Sequence, residues 1–202
     1  MKRKIFKWFF KSEYLAYERE MKCMESKSEK KIQKMKEELC VEEKKYGLVK
    51  SIFTDDKNSK IVALDTNRNG EDVLVVESFY DNNLWIKLYG PSYSAVNKHP
   101  RIMSTIKKDI EKGITYIHID DIDTIHINCG NGSIAMKYFL KAAETTGAEY
   151  INGSLSSKDK DHFPRSEHYY KKFGFEVNFN EGRTSGGVKL YLKWFCKDFK
   201  GS

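Results

Sequence analysis

The second half of the chain alternates between strand-like and helix-like segments, and this order constrains the fold more than any other feature. The segments are, in order, a strand (114–127), a helix (133–146), a strand (149–153), a helix (165–173) and two closing strands (175–179 and 188–195). Gly147 and Gly174 follow the two helices, as glycine commonly does at a helix end. This alternation predicts an α/β domain built on a mixed sheet.

The segment before this alternation is predicted to add strands to the same sheet. Apolar runs at 47–53, 60–65, 72–80 and 84–89 are separated by short stretches rich in Asp, Asn and Gly. Such spacing favours strands joined by turns. We therefore predict a mixed, mostly antiparallel sheet flanked by helices.

Residues 101–112 are ambiguous between strand and helix. Ile102, Ile106 and Ile110 recur every four residues, which favours a short helix. Gly113 would end it.

The N-terminal region has a different character and is predicted to be one long helix. Residues 10–45 contain no glycine or proline and are rich in Glu, Lys and Met, which are good helix formers. Tyr46-Gly47 would end this helix. We therefore expect two regions: 1–45, a basic aromatic tip and a long charged helix, and 46–202, the α/β domain.

Two interpretations of the long helix remain open. Its apolar residues recur at spacings of three and four, with one stutter after Ser28, at Phe10, Tyr14, Tyr17, Met21, Met24, Ile32, Met35 and Leu39. This is a short heptad pattern. The helix is either a coiled-coil arm that makes a homodimer or a helix whose apolar stripe packs back onto the domain.

The basic surplus of the chain is concentrated at its N-terminal tip. Of a net charge of +7, residues 1–11 supply five basic side chains and no acid, whereas residues 12–45 are balanced at nine and nine. A nucleic-acid binder more often spreads Lys and Arg over a folded face, so nucleic acid is not the expected partner. The aromatic residues of the tip are expected to pack on the domain, with contact to an anionic membrane as the alternative.

Neither the cysteines nor the histidines form a pattern that predicts a disulfide or a metal site. The cysteines (Cys23, Cys40, Cys129 and Cys196) include no CxxC pair, which favours reduced thiols in a cytoplasmic protein. His118 and His126 would share a strand face, but no third ligand stands out, so no metal is expected. No stretch of about 18 apolar residues exists, and we expect no membrane span.

A loop rich in small residues joins the strand at 114–127 to the helix that follows. Gly130, Gly132 and Ser133 would let backbone N–H groups approach a ligand closely. The helix adds the positive end of its dipole. Such a junction suits a phosphate or pyrophosphate.

A second motif follows this loop at a characteristic separation. The helix at 165–173 ends in Tyr170-Lys171-Lys172-Phe173-Gly174-Phe175, 40 residues after Gly130. With the intervening helix and strand, this pair of motifs resembles the GNAT acyltransferase superfamily. In that family, a pyrophosphate loop of the pattern Gln/Arg-x-x-Gly-x-Gly/Ala precedes a helix in which Tyr is followed by Glu/Lys-Lys-x-Gly-Phe.

The resemblance covers residues 116–180. A further stretch is similar to a bacterial branch of GNAT-like proteins; it comprises Gly153-Ser154-Leu155-Ser156, Asp159, Asp161-His162 and Arg165. The chain departs from the family at Ile127, where the Gln or Arg would fall. The family's two helices between its first strands are not evident, and the long N-terminal helix lies outside the pattern.

The resemblance implies acetyl-CoA as co-substrate, without a metal, and a small amine or peptide amine as acceptor. The residues that would bind the cofactor are those of the loop: Ile125, Ile127, Cys129, Gly130, Asn131, Gly132 and Ser133. Backbone amides do most of this binding in the family.

The resemblance also implies catalytic residues. The amine must lose a proton and the departing thiolate must gain one. Tyr170 lies where the family places the acid; the alternative is a core aromatic, with Tyr169 exposed beside it. Asp121 and Asp123, with Asp120 beside them, are candidate bases, because the alternation of isoleucines slips near Asp120–Asp121, which predicts a β-bulge there.

A second hypothesis makes the domain a GNAT-like interaction module rather than an enzyme. In that case the cofactor cleft is lost, and the N-terminal helix assembles the protein with a partner. This hypothesis is based on Ile127 and on the unusual N-terminal region.

Overall fold

The computed structural model describes residues 11–55, 58–93 and 99–192, apart from the side chains of Ser51 and Asp55. The chain divides into two compact units, Met1–Gly47 and Leu48–Ser202. The basic aromatic tip, of which Lys11 alone is described, and Cys196 lie outside the described residues.

The first element is a single long helix, α1 (Lys11–Asp55). It confirms the predicted helix but extends past its predicted end at Tyr46-Gly47, so the strand expected at 47–53 is wrong. An isolated glycine costs a helix only about 1 kcal/mol. Ile52 is fully buried in a cluster with Val76 and Tyr89, and burying such a side chain contributes about 1.5–3 kcal/mol.

The apolar stripe of α1 is largely exposed within the first unit. Tyr17, Met35 and Leu39 are 59–61% exposed. Several ion pairs at helical spacing line the charged positions, among them Lys34 with Glu38. Such exposed pairs contribute little, so the length of α1 rests mainly on good helix-forming residues.

The second unit is built on one eight-stranded sheet with the order β1-β2-β3-β4-β5-β6-β8-β7. The strands are β1 (Ser59–Thr66), β2 (Asp72–Tyr80), β3 (Asn83–Tyr89), β4 (Arg101–Asp109), β5 (Ile114–Asp123), β6 (Tyr150–Leu155), β7 (Glu176–Phe179) and β8 (Gly186–Tyr191). All neighbouring pairs are antiparallel except β5 and β6. The predicted mixed, mostly antiparallel sheet is therefore confirmed.

The helix favoured at 101–112 is wrong, because residues 101–109 form the strand β4. A spacing of four residues fits a strand as well as a helix, since every second strand residue shares a face. Ile102 and Ser104 are buried on that face, and the Ser104 hydroxyl donates to the Leu84 carbonyl at 2.6 Å. Ile110 lies beyond the strand and is 88% exposed.

The predicted bulge in β5 is confirmed. Met103 pairs with Asp121, but the next residue, Ser104, pairs with Ile119. Asp120 is thus the extra residue, and its carboxylate accepts a hydrogen bond from the Thr105 hydroxyl at 2.7 Å. A bulge of this kind bends the strand and redirects the side chains that follow it.

Two further helices, α2 (Asn131–Ala143) and α3 (Phe163–Lys172), pack against this sheet. A short 3₁₀ helix (Ser157–His162) leads into α3. Both helices were predicted from the sequence and are confirmed. Met136 and Phe139 of α2 lie in the core with Ile117 of β5. This packing positions the N-terminal end of α2 beside α3.

Candidate active site

The connection from β5 to α2 is a tight, strained turn. Ile125 and Asn128 adopt positive φ angles of 57° and 66°. The Asp123 carboxylate accepts the Ile125 amide at 3.0 Å, and the His126 amide donates to the Thr124 carbonyl at 2.6 Å. A β-branched residue in the left-handed region is a true outlier. Such strain, about 1–3 kcal/mol per residue, tends to occur at functional sites.

The N-terminal end of α2 offers backbone donors to a ligand. Gly130 is the N-cap, with φ of 86°, and no side chain caps the helix. The Gly130 carbonyl accepts the amides of Ser133 and Ile134 at 3.0 and 3.1 Å. The first amides of a helix, here those of Asn131 and Gly132, have no acceptor within the helix.

Protein packing gives one reason for a glycine at position 132. A Cβ atom at this position would lie 2.9 Å from Thr124 Cγ2 and 3.3 Å from Tyr169 Cε2. The first distance is shorter than real Cβ contacts allow. Gly132 therefore admits Thr124 and Tyr169, and its role in binding a ligand stays a prediction.

Helix α3 is tied to this end of α2 by two side chains. The Tyr169 hydroxyl donates to the Gly132 carbonyl at 2.7 Å, and Lys172 Nζ donates to Ser133 Oγ at 3.0 Å. Tyr169 is half-buried, not exposed as the sequence suggested. Burial raises the pKa of Tyr169 far above that of a free tyrosine, so its hydroxyl remains a donor.

The turn between β1 and β2 braces the loop from the other side. The Arg68 amide donates to the Cys129 carbonyl at 2.9 Å. Asn67 Nδ2 donates to Asn131 Oδ1 at 3.3 Å, and Asn131 Nδ2 donates to the Tyr93 hydroxyl at 2.7 Å. Asn131 is only 1% exposed. This buried polar chain holds the start of α2 in place.

These elements enclose a pocket of about 310 Å³. It lies between the end of β5, the start of α2 and α3. The residues that line it are Arg68, Ile122, Thr124, His126, Ile127, Asn128, Gly130, Asn131, Gly132, Ser133, Arg165, Ser166, His168, Tyr169 and Lys172. This set contains three cationic side chains and no carboxylate, so the pocket suits an anionic ligand.

The pocket brings together most of the predicted cofactor-binding residues, although not all of them. Gly130, Asn131, Gly132 and Ser133 line it, and so does Ile127, which is 58% exposed. The remaining two lie beside the pocket: Ile125 packs against the core, and Cys129 is held by the β1–β2 turn.

The predicted acid and base candidates lie around the bulge. Tyr170 is buried, and its ring meets Phe175 edge-on at 5.3 Å. Burial, together with the charge of Asp121, raises the pKa of Tyr170 to about 12. Asp121 is exposed, whereas Asp123 accepts the Ile125 amide and shapes the turn. Among the described residues that line the pocket, Tyr169 is present and Tyr170 is not.

Sequence reasoning missed the contribution of the β1–β2 turn. Its residues were predicted to form a turn, which is correct. No pattern among neighbouring residues predicts their contact with a loop some 60 residues later, because this contact forms only when β1 to β5 assemble. The same holds for Tyr93, which reaches Asn131 from the segment after β3.

The histidines and cysteines do not form a metal centre in the described ranges. No group of three or more His, Cys, Asp or Glu side chains within 11–55, 58–93 and 99–192 is arranged to hold a metal ion. His118 Nδ1 instead lies 2.8 Å from Asn152 Oδ1. Cys23, Cys40 and Cys129 are free thiols.

None of the helices in the described part of the chain combines the length and the apolar character that a membrane crossing requires.

Comparison with known proteins gives one sequence relative and several structural likenesses. No protein-family model matches the chain. It is similar to the uncharacterized protein YocC of Bacillus subtilis (strain 168), at 26% identity over 162 residues, which cover 80% of this chain and 94% of YocC. The name of that relative assigns no activity.

Several solved structures are similar to this chain. NAA60 of Arabidopsis thaliana, solved in complex with acetyl-CoA, is similar with a TM-score of 0.43 and 10% identity, covering 56% of this chain and 78% of that one. Nourseothricin acetyltransferase is similar with a TM-score of 0.40 and 12% identity, covering 67% and 88%.

Proposed function

We propose that this chain is an acyl-CoA-dependent N-acyltransferase of the GNAT type, which moves an acetyl group from acetyl-CoA to an amine. The acceptor class is a small amine or a peptide amine. The observation that carries the proposal is the junction of a bulged strand, β5, with a strained loop and the start of α2 beside a cationic pocket.

The pocket supports binding of the CoA phosphates. Uncapped amides at the start of α2 and the helix dipole favour a phosphate group. Lys172 and Arg165 add positive charge from α3. Because no carboxylate lines this pocket, a phosphate meets no repulsion from its walls.

The strand bulge supports the acyl-transfer step. β5 pairs with β4 on both sides of the bulge at Asp120, but it pairs with β6 only as far as Ile119, so β5 and β6 part at the bulge. In the proposed reaction the amine nitrogen attacks the thioester carbonyl, a C–N bond forms and the C–S bond breaks. The amine proton passes to Asp121 or to water, and the thiolate receives a proton from the Tyr170 hydroxyl.

Tyr170 carries the proton that the thiolate must receive, because a phenol with a pKa of about 12 is protonated at neutral pH. Part of the rise in its pKa comes from the charge of Asp121. When Asp121 takes up the amine proton, this part is removed, and Tyr170 becomes a stronger acid as the thiolate departs.

The departures from the family pattern affect the acceptor side most. The connections between the first three strands are short turns, at 67–71 and at Asp81 and Asn82. Neither turn holds the two helices that the resemblance would place between the first strands. The acceptor site is therefore built from other parts of this chain.

The proposal is tested by titrating the protein with acetyl-CoA in a calorimeter and by following its melting temperature. We expect micromolar binding and a rise in melting temperature, since a ligand that binds only the native state stabilises it. Ser133→Glu places a negative charge at the start of α2 and should weaken binding at least about tenfold.

Ser185→Glu is the matched control, because Ser185 is exposed in the β7–β8 turn and does not line the pocket. It should bind acetyl-CoA as the unaltered protein does. Failure of the unaltered protein to bind acetyl-CoA at millimolar concentration would reject the proposal.

A second candidate function is that of an interaction module that assembles through α1. The observation that favours it is the exposure of Tyr17, Met35 and Leu39 along one stripe. A homodimeric coiled coil would bury this stripe. Light scattering of the whole protein measures the assembly state directly.

A further inference from the structure

The pocket lacks a polar side chain at the position where the resemblance would place one. Ile127 lines the pocket with an apolar side chain. A phosphate bound there would meet backbone amides at the start of α2, but no side-chain donor from position 127. Another side chain of this chain faces the same space.

Arg68 lies in that space and comes from outside both sequence motifs. It lines the pocket from the β1–β2 turn. Its amide donates to the Cys129 carbonyl at 2.9 Å. A Cβ atom added to Gly130 would lie 3.0 Å from Arg68 Cγ, so the aliphatic stem of Arg68 rests on the glycine that caps α2.

The turn that carries Arg68 is itself held rigidly. Asn67 Oδ1 accepts the amides of Asn69 and Glu71 at 3.0 and 3.1 Å. Asn67 Nδ2 reaches Asn131 of α2. The position of Arg68 relative to the loop is therefore set before any ligand arrives, which lowers the entropic cost of binding.

The guanidinium of Arg68 is available to a ligand. Within the described part of the chain it has no hydrogen-bond or ion-pair partner. The two acids nearest in sequence have other partners: Glu71 accepts the Ser92 amide at 2.7 Å, and Asp65 pairs with Lys137 at 2.9 Å. A guanidinium offers donors in a planar fork that matches two phosphate oxygens at once.

We propose that Arg68 binds the phosphates of the CoA and supplies the side-chain cation that Ile127 does not. This rests on the proposed function, because it assumes that CoA occupies the pocket. Arg68 is then a binding residue that the motifs of the loop and of α3 do not include.

The test compares the binding of CoA and of dephospho-CoA to four proteins by calorimetry: the unaltered chain, Arg68→Met, Arg68→Lys and Arg19→Ala. Methionine keeps an unbranched stem over Gly130 but removes the charge. Lysine keeps the charge but not the planar fork. Arg19 is exposed on α1 and does not line the pocket, so Arg19→Ala controls for net charge.

We expect Arg68→Met to bind CoA about ten- to a hundredfold more weakly. This is the loss of affinity expected when one charge-assisted hydrogen bond is removed. Arg68→Lys should lie between it and the unaltered chain, and Arg19→Ala should equal the unaltered chain. The dependence of binding on salt should also be less steep in Arg68→Met.

Dephospho-CoA lacks the 3′-phosphate but keeps the pyrophosphate, so it shows which of these two groups Arg68 binds. If the loss in Arg68→Met persists with this ligand, Arg68 binds the pyrophosphate; if the loss disappears, it binds the 3′-phosphate. Equal binding of CoA by Arg68→Met and the unaltered chain would overturn the inference and leave the proposed function standing. If the unaltered chain binds no CoA, both are overturned.

Discussion

The hydroxyl of Tyr169 donates a 2.7 Å hydrogen bond to the carbonyl oxygen of Gly132. This bond joins α3 to the first turn of α2 across the candidate pocket. Gly132 belongs to the loop motif, and Tyr169 directly precedes the motif that begins at Tyr170.

Loss of that bond should loosen the pocket. Tyr169→Phe removes only the hydroxyl and should lower the free energy of unfolding by about 1 kcal/mol, the usual net value of a neutral hydrogen bond. Acetyl-CoA should bind several-fold more weakly, because the start of α2 is less well held. Chemical denaturation and calorimetry measure these effects, with Tyr80→Phe, at an exposed tyrosine, as control. An unchanged unfolding free energy would show that the bond contributes nothing.

Alanine should have opposite effects at two helical glycines. At Gly132 the added Cβ would lie 2.9 Å from Thr124 Cγ2, and such overpacking costs about 1–3 kcal/mol. At Gly47 nothing lies within 4 Å, so alanine should stabilise α1 by up to about 1 kcal/mol. Urea unfolding of both variants measures the difference. Stabilisation by Gly132→Ala would contradict the packing described at this site.

Removal of the Tyr170 hydroxyl should separate catalysis from binding. If Tyr170 donates a proton to the CoA thiolate, Tyr170→Phe lowers kcat by about a hundredfold or more. The dissociation constant for acetyl-CoA should stay nearly the same, because Tyr170 does not line the pocket formed by the described residues. The measurement requires an acceptor amine, found by screening. A variant with full kcat would remove Tyr170 from the mechanism.

The stability of the fold should fall in strongly alkaline solution. The pKa of Tyr170 is about 12 in the folded protein and about 10 in an unfolded chain. Its stabilising contribution is complete below pH 10 and is lost as the pH rises towards 12, because the unfolded state releases the proton first. Unfolding curves between pH 8 and 11 should therefore be less steeply pH-dependent in Tyr170→Phe. Identical pH dependence in both proteins would contradict the raised pKa.

Assembly through α1 should depend on its exposed stripe. If the stripe forms a coiled coil, Leu39→Glu places a charge in the interface and should convert dimers into monomers in light scattering. Cys40→Glu is the matched control, because it adds the same charge at an exposed neighbouring position. A monomeric unaltered protein would remove the support for the homodimer.

The elements that sequence reasoning predicted well are those with a strong local signal. α2 and α3 each show helical periodicity and end near a glycine, and the slip in the isoleucine pattern of β5 predicted a bulge near Asp120–Asp121, which the structure has at Asp120. The errors occurred where local signals are ambiguous. The four-residue spacing of Ile102 and Ile106 fits both a helix and a strand, and a single glycine at 47 did not end α1.

The residues of the candidate site likewise fall into those that the sequence identified and those that it did not. Gly130, Gly132, Ser133 and Tyr170 were identified because they belong to contiguous motifs. Arg68 and Tyr93 were not, since their contacts with the loop join segments far apart in the chain.

By itself, therefore, the sequence determined the class of fold, the order of its elements and the location of a loop suited to phosphate. These follow from periodicity, turn residues and glycine placement, which act over a few residues. Only the tertiary structure decided what the loop contacts: that Tyr169 lies on Gly132, and that Arg68 rests on Gly130. Those contacts depend on the register of β1 to β5 and on the packing of α3, which distant residues determine together.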